Sequence, residues 1–249
     1  IGGNVVEKPM ELESFLKKFS NLPQPKILVH GGGNYATELS AKLGIKVTML
    51  DGRRITDAET LKLVTMVYAG MINKTVVSLL QKFGCNAIGL SGADGDIIPG
   101  VRRSSHPIDW GLVGDIQPSN INTSLLSSLM GRGLVPVFCP ITHDRNGSLL
   151  NTNADTVASS LAVALSSDYS VRLIYCFEKE GVLSDPENQG SLMPLITRET
   201  FSALQKSGAI SHGMIPKLEN AFSALENGVS EVVIKSSANL GNEVGTLLK

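Results

Sequence analysis

Short apolar runs alternate along the chain with stretches in which apolar residues return every three or four positions, and glycines stand at many of the junctions. Ile27, Leu28 and Val29 are an apolar run too short for a buried helix and predict an inner strand of a parallel sheet. Gly31, Gly32 and Gly33 follow at once, and then Ala36, Leu39 and Leu43 predict a helix. The same pattern comes first at Ile1: a strand end, the turn Gly2-Gly3, and a helix with Leu12, Phe15, Leu16 and Phe19 on one face. Thr56 with Glu59 has the form of a capping box and predicts a helix through Leu61, Val64 and Tyr68. A second helical stretch, Asn73–Phe83, is closed by Gly84. Ala87–Leu90 predicts a buried strand. Residues 98–117 lack a helical period, and Ile98–Arg103 with Leu112–Gln117 predicts an antiparallel, lid-like hairpin around His106, Pro107 and Trp110.

Further on come a short helix at Ser124–Met130, a strand at Val135–Pro140 and a hairpin turn at Asn146-Gly147. Then follow a small-residue helix with Val157, Leu161 and Leu165 on one face, and a strand at Val171–Phe177. Gly181, Pro186 and Gly190 mark a long loop suited to a nucleotide base. A helix with Leu218, Phe222 and Leu225 stops at Gly228, and Glu231–Lys235 and Gly245–Lys249 predict the last strands. Alternating strands and helices predict the α/β class, and the loop before Asn151 divides the chain into lobes at 1–145 and 146–249.

The 249 residues are 42% hydrophobic and 18% charged with a net charge of -1, which suits one large α/β domain or two lobes and argues against nucleic acid as the main partner. No apolar run of membrane-spanning length and no secretory signal is visible. Cys85, Cys139 and Cys176 are scattered and odd in number, which predicts reduced, buried thiols in a cytoplasmic protein, not disulfides or a zinc site. The chain begins at Ile1 and not at Met, which leaves its natural start open.

Candidate chemistry gathers at the junctions. A glycine turn between a strand and a helix lets backbone N–H groups converge on an anion, aided by the positive end of the helix. Gly31–Gly33 is such a turn, although it matches neither a P-loop nor Gly-x-Gly-x-x-Gly. Of Arg53 and Arg54, one could fork onto a ligand carboxylate, where a surface pair would do nothing. Asp94 and Asp96 could hold a cation or simply build the turn Ser91–Asp96. Asn151, Asn153 and Asp155 crowd one helix start, and capping requires only one of them. Lys217 lies near a helix start, where the dipole disfavours a cation unless an anion compensates.

Taken in order, Gly2-Gly3, His30-Gly-Gly-Gly33, Gly52-Arg-Arg-Ile-Thr56, Gly89-Leu-Ser-Gly-Ala-Asp-Gly95, Gly111-Leu-Val-Gly-Asp115, Asn151-Thr-Asn-Ala-Asp155, Gly213-Met-Ile-Pro-Lys217 and Gly245-Thr246 closely resemble the acetylglutamate kinase branch of the amino acid kinase family. The resemblance spans nearly the whole chain. It implies a three-layer αβα sandwich around an open, mainly parallel eight-stranded sheet. The N-terminal lobe would hold the acyl-glutamate and a homodimer interface, and the C-terminal lobe ATP. The implied reaction is transfer of the γ-phosphoryl group of ATP to the γ-carboxylate of N-acetyl-L-glutamate, with Mg²⁺ carried by ATP oxygens and water, as a step of arginine biosynthesis. The implied catalytic set is Lys217 on the phosphates, Asp155 organising the lysines, and the backbones of Gly2, Gly3, Gly31 and Gly32 around the phosphoryl group. Arg54 and Asn151 would hold the substrate α-carboxylate.

Two departures stand out. The family carries a lysine immediately before the position of Ile1, and such a lysine is expected in the natural chain. Phe177-Glu178-Lys179-Glu180-Gly181-Val182 replaces the usual Ser/Thr-Asp-Val-x-Gly-Val beside the nucleotide, with Glu178 and Gly181 at the nucleotide positions. That change suits a subfamily acting on another N-acyl group, such as N-succinyl-glutamate. The rivals are kinases of carbamate, aspartate, glutamate or uridylate on the same fold, and a non-catalytic amino acid or nucleotide sensor.

Overall fold

The predicted inner strand is present and short. Strand β1, Leu28–Val29, pairs in parallel with β7, Val135–Phe138, and β7 pairs in parallel with β4, Ala87–Leu90, in the order β1-β7-β4. All four residues of β7 are buried, as a central strand of a covered parallel sheet requires. The computed structural model describes residues 1–50, 52–185, 188, 190–207 and 214–249. Asp51 beside Gly52, Pro186 in the long loop, and Ser211, His212 and Gly213 before Lys217 lie outside the described residues. The chain divides into two compact units, Ile1–Val157 and Ala158–Lys249.

In the first unit, α1 (Gly3–Val6) and α2 (Pro9–Ser20) precede β1, and α2 buries Leu12, Phe15, Leu16 and Phe19 as its spacing predicts. Lys26 closes the C-terminal end of α2 by donating to the carbonyls of Phe19, Ser20 and Leu22 at 2.9, 2.7 and 2.7 Å. Helix α3 is Gly33–Lys42, and β2 (Thr48–Leu50) forms a small antiparallel hairpin with β3 (Arg53–Ile55). The two helical stretches predicted after it are one continuous run: α4 (Ala58–Thr65), a π-helical segment (Met66–Ile72) and α5 (Asn73–Lys82). This run is long and apolar enough by composition to cross a membrane, and one face of it is buried in its unit. Val64, Val76 and Leu80 are fully buried, and α5 packs on β4 and β7. The helix cap is Asp57, whose carboxylate accepts from Thr60 N at 2.8 Å, and not Thr56, whose hydroxyl is engaged inside the fold.

The hairpin predicted within 98–117 is β5 (Gly100–Arg102) with β6 (Gly114–Ile116). Helix α6 (Thr123–Gly131) is capped by Asn122, and Gly147 turns the hairpin of β8 (Ile141–His143) and β9 (Leu149–Asn151). Helix α7, Ala154–Leu165, starts in the first unit.

The second unit has a four-stranded mixed sheet in the order β10-β12-β13-β11. Strand β10 (Arg172–Phe177) runs parallel to β12 (Glu231–Ser236), β12 antiparallel to β13 (Thr246–Leu248), and β13 parallel to β11 (Leu195–Ile196). Helices α8 (Arg198–Ser207) and α9 (Ile215–Glu226) complete it. Its core joins Leu173, Tyr175, Ile196, Phe201, Leu218, Phe222, Val232 and Ile234. Among the described residues the strands form several smaller sheets and not one of eight strands. β1 carries only two residues because glycines follow immediately, and β2–β3, β5–β6 and β8–β9 pair as separate hairpins. The α/β class and the parallel core pairing stand. The three cysteines are buried free thiols, and burial pushes Cys139 up to about 12.

Candidate active site

Two glycine turns lie side by side in the first unit. The backbone N of Ile1 donates to the Val29 carbonyl at 2.6 Å, and Gly31 N donates to the Ile1 carbonyl at 2.9 Å. Residue 1 therefore runs beside β1, and both segments reach the same edge with glycines. A Cβ on Gly31 would lie 3.1 Å from Gly3 N, and one on Gly3 would lie 3.3 Å from both Gly32 N and Gly33 N. Gly32 has φ 155°, and a Cβ there would stand 2.2 Å from Ile72 Cδ1, so the position admits only glycine. Gly32 is the N-cap of α3 and offers no side chain to its helix start. Among the described residues, neither the Gly32 nor the Gly33 N–H donates to a partner. The Asn34 N–H likewise has none among the described residues, while Tyr35 N is taken by Glu7 Oε1 at 3.1 Å. What remains is a set of three backbone N–H groups at the positive end of a helix, of which those of Gly32 and Gly33 lie beside a second glycine turn. The Gly31 N–H, expected among the phosphoryl donors, is engaged with Ile1 instead.

Arg54 and Asn151 meet through Thr56. Arg54 is buried on β3, and its Nη2 donates to the Gly33 carbonyl at 2.9 Å and to Thr37 Oγ1 at 2.8 Å. Its Nη1 is buried with no hydrogen-bond partner among the described residues, a costly state for a cation and one that a ligand carboxylate would relieve. The Tyr68 hydroxyl is close by: burial raises its pKa, and the Arg54 charge offsets part of the rise. Thr56 Oγ1 donates to the Arg54 carbonyl at 2.8 Å and accepts from Asn151 Nδ2 at 3.0 Å. Asn151 N donates to the Leu112 carbonyl at 2.9 Å. Asn151 keeps a second Nδ2 proton beyond the one given to Thr56.

Only Asn153 caps α7, its Oδ1 accepting from Asp155 N at 2.9 Å and Thr156 N at 3.1 Å. That leaves Asn151 and Asp155 for other work. Asp155 is half-buried and lies in the electrostatic surroundings of Arg53. Burial first, then the neighbouring Arg103, push Arg53 below the ordinary arginine range, while Asp115 and Asp155 pull it back. Arg103 itself forks onto Asp115 and lies over the Trp110 ring at 5.5 Å.

The possible cation turn is a plain turn. Asp94 accepts from Ser91 N at 2.6 Å and Ser91 Oγ at 2.7 Å, and Asp96 takes Arg145 bidentately, with His143 Nε2 at 3.0 Å from its Oδ1. Hydrogen bonds from Arg145 hold Asp96 below the usual carboxylate range.

In the second unit, Lys217 is half-buried in the first turn of α9, a helix without a side-chain cap. Gly181 packs against β13: a Cβ there would lie 2.5 Å from Thr246 Oγ1, and Val182 N donates to that hydroxyl at 2.8 Å. Glu178 is exposed just past β10.

Sequence reasoning gave no role to His30, Asn73, Tyr68 and Ile72, which lie about the Gly31–Gly33 turn, and missed the nearness of Arg53 to Asp155. A buried histidine directly before three glycines was the one signal available for them.

The family model described as "Amino acid kinase family" matches residues 1–236. An acetylglutamate kinase of Cytophaga hutchinsonii is 52% identical over 255 residues, spanning 100% of this chain and 96% of that protein. One of Phocaeicola vulgatus is 51% identical over 249 residues, with 100% and 96% covered. Among solved structures, smu.665 from Streptococcus mutans superposes with a TM-score of 0.84 at 26% identity, covering 100% of this chain and 96% of that one.

Proposed function

We propose that this chain, which belongs to the amino acid kinase family, transfers the γ-phosphoryl group of ATP to the γ-carboxylate of N-acetyl-L-glutamate. The relatives about half identical over the full chain are named for that substrate. The structural observation that carries the reading is the pair of facing glycine turns with two N–H groups left over at Gly32 and Gly33.

Phosphoryl transfer asks little covalent chemistry of a protein and much positioning and charge stabilisation. The Gly32 and Gly33 N–H groups meet the oxygens of the transferring group, and Gly2 and Gly3 leave room for it because they carry no Cβ. Arg54 receives the substrate α-carboxylate on its buried Nη1, and Asn151 adds its second Nδ2 proton. Lys217 meets the charge of the ATP phosphates, and Asp155 serves to organise the catalytic cations. Glu178 and Gly181 border the nucleotide. ATP use by a kinase brings Mg²⁺ with it. Among the described residues no three acidic, histidine or cysteine side chains converge on a metal position, so the chain's own residues offer it no cage and no step is assigned to it.

The test is an ADP-release assay on N-acetyl-L-glutamate, N-succinyl-L-glutamate, free glutamate, aspartate and carbamate. Preference for N-acetyl-L-glutamate is expected. A higher kcat/KM for any other acceptor overturns the substrate, and ATP binding without turnover of any acceptor favours a sensor.

A further inference from the structure

His30 is fully buried, and it touches the glycine turn directly. Its Nδ1 lies 2.9 Å from the Gly31 carbonyl oxygen, and its Nε2 lies 3.2 Å from Asn73 Nδ2. The same Asn73 Nδ2 donates to the Val137 carbonyl at 2.9 Å, and Lys74 Nζ donates to Asn73 Oδ1 at 3.2 Å. These partners orient the amide, because a carbonyl can only accept and an ammonium can only donate. Asn73 Nδ2 therefore donates to a bare Nε2, and the ring proton sits on Nδ1, where it bonds the Gly31 carbonyl.

We propose that His30 is a positioning residue for phosphoryl transfer: its Nδ1–H holds the Gly31 carbonyl and so aims the Gly32 N–H. In a trans peptide the C=O and the following N–H point in opposite directions. Fixing the Gly31 oxygen toward His30 turns the Gly32 N–H away from it, and a Cβ on Gly3 would lie 3.3 Å from that nitrogen. Asn73 selects the tautomer that makes this possible. Burial supports the assignment by holding the imidazole down to about 4, so it is neutral at physiological pH. Without the clamp, the peptide between two glycines has no Cβ on either side to restrict it, and a donor that wanders is worth less at the transition state. The inference rests on the reading that the paired glycine turns hold the phosphoryl group.

The first measurement is ¹⁵N–¹H correlation of the histidine rings of the full chain at neutral pH, with the His30 signals assigned by their loss in His30→Asn. A neutral ring protonated at Nδ1 is expected. A proton on Nε2, or an imidazolium, overturns the proposal without any variant having to be active.

The second is kinetic. His30→Asn keeps an N–H donor near the place of Nδ1. His30→Gln reaches toward Asn73 and leaves the Gly31 carbonyl without its donor. His30→Gln should lower kcat roughly tenfold to a hundredfold with little change in either KM, less than the loss on deleting a donor outright. His30→Asn should recover most of that loss. Wild-type kcat in folded His30→Gln, or His30→Asn no better than His30→Gln, overturns the clamp. Gly3→Ala is measured beside them, since its Cβ would crowd both Gly32 N and Gly33 N. Normal turnover in Gly3→Ala sinks the glycine-turn reading itself. Impaired Gly3→Ala with intact His30→Gln removes only His30.

Discussion

Helices α3 and α7 both start where a strand of the first unit has just ended, and they start in opposite ways. At α7, Asn153 takes two of the first backbone N–H groups on its side chain. Asp57, Asn122 and Thr197 each take one such group for α4, α6 and α8. At α3 the cap is a glycine with nothing to offer, and the donors of Gly32, Gly33 and Asn34 are left, the first two beside a second glycine turn. Helix α2 is also uncapped, but Pro9 at its first position removes a donor. Helix α9 has no side-chain cap and carries Lys217 in its first turn. A closed start stabilises the fold, whereas an open one keeps its donors for an anion from outside.

The contrast can be broken from the open side first. Lys217→Ala should lower kcat by roughly 10²–10³-fold, the loss expected when one preorganised charge donor is removed. Turnover close to wild type would take Lys217 out of the mechanism.

The clamp under the open start has its own signature in stability. The folded His30 has a pKa of about 4 against an ordinary 6.5. Between those values the unfolded chain binds a proton that the folded chain refuses. The contribution is therefore complete above the unfolded value and falls as pH drops toward 4, by up to about 3 kcal/mol. Urea melts at about pH 7 and about pH 4.5 should differ for the wild type and differ much less for His30→Asn. An unchanged difference would mean that other groups carry the pH dependence.

Arg54→Lys tests what anion the first unit receives. Losing the fork should cost about 2 kcal/mol of substrate binding, seen as a raised KM for the amino acid with the KM for ATP little changed. The reverse pattern would place Arg54 on the nucleotide.

The closed start gives the smallest effect. Asn153→Ala should destabilise the protein by about 1 kcal/mol and leave the turnover of the folded enzyme alone. A loss of kcat with unchanged stability would show that this start is not merely closed.

Much of the fold was legible because its signals are local. Ile27–Val29, the face Leu12, Phe15, Leu16 and Phe19, and the turn at Asn146-Gly147 each state their element within a few residues. Helix α8 was not foreseen, and the capping box at Thr56 fell one residue early. The hydroxyl of Thr56 serves Arg54 and Asn151, and Asn151 lies 95 positions away, which no local rule can see. The site was legible as motifs, and the surplus at Asn151–Asp155 resolved as the cap rule implies. The engagement of Gly31 by Ile1 and the clamp from His30 to Asn73 depend on contacts across 30 and 43 positions, and only the folded backbone reveals them.

The π-helical segment leaves a trace in the spelling of its helix. Thr60, Val64, Tyr68, Ile72, Val76 and Leu80 are all buried, one tooth of a comb at every fourth residue. On an ordinary α-helix such a comb winds by roughly 40° per tooth and would carry Leu80 to the solvent side. Wider turns wind it back. With one residue fewer between Met66 and Ile72, the same teeth would stay within roughly 100° on a regular helix. The segment thus behaves as a single inserted residue, absorbed so that both flanks keep their phase. Its net effect is local: it delivers Ile72 and Tyr68 over Gly32, where there is room for a hydrogen and nothing more.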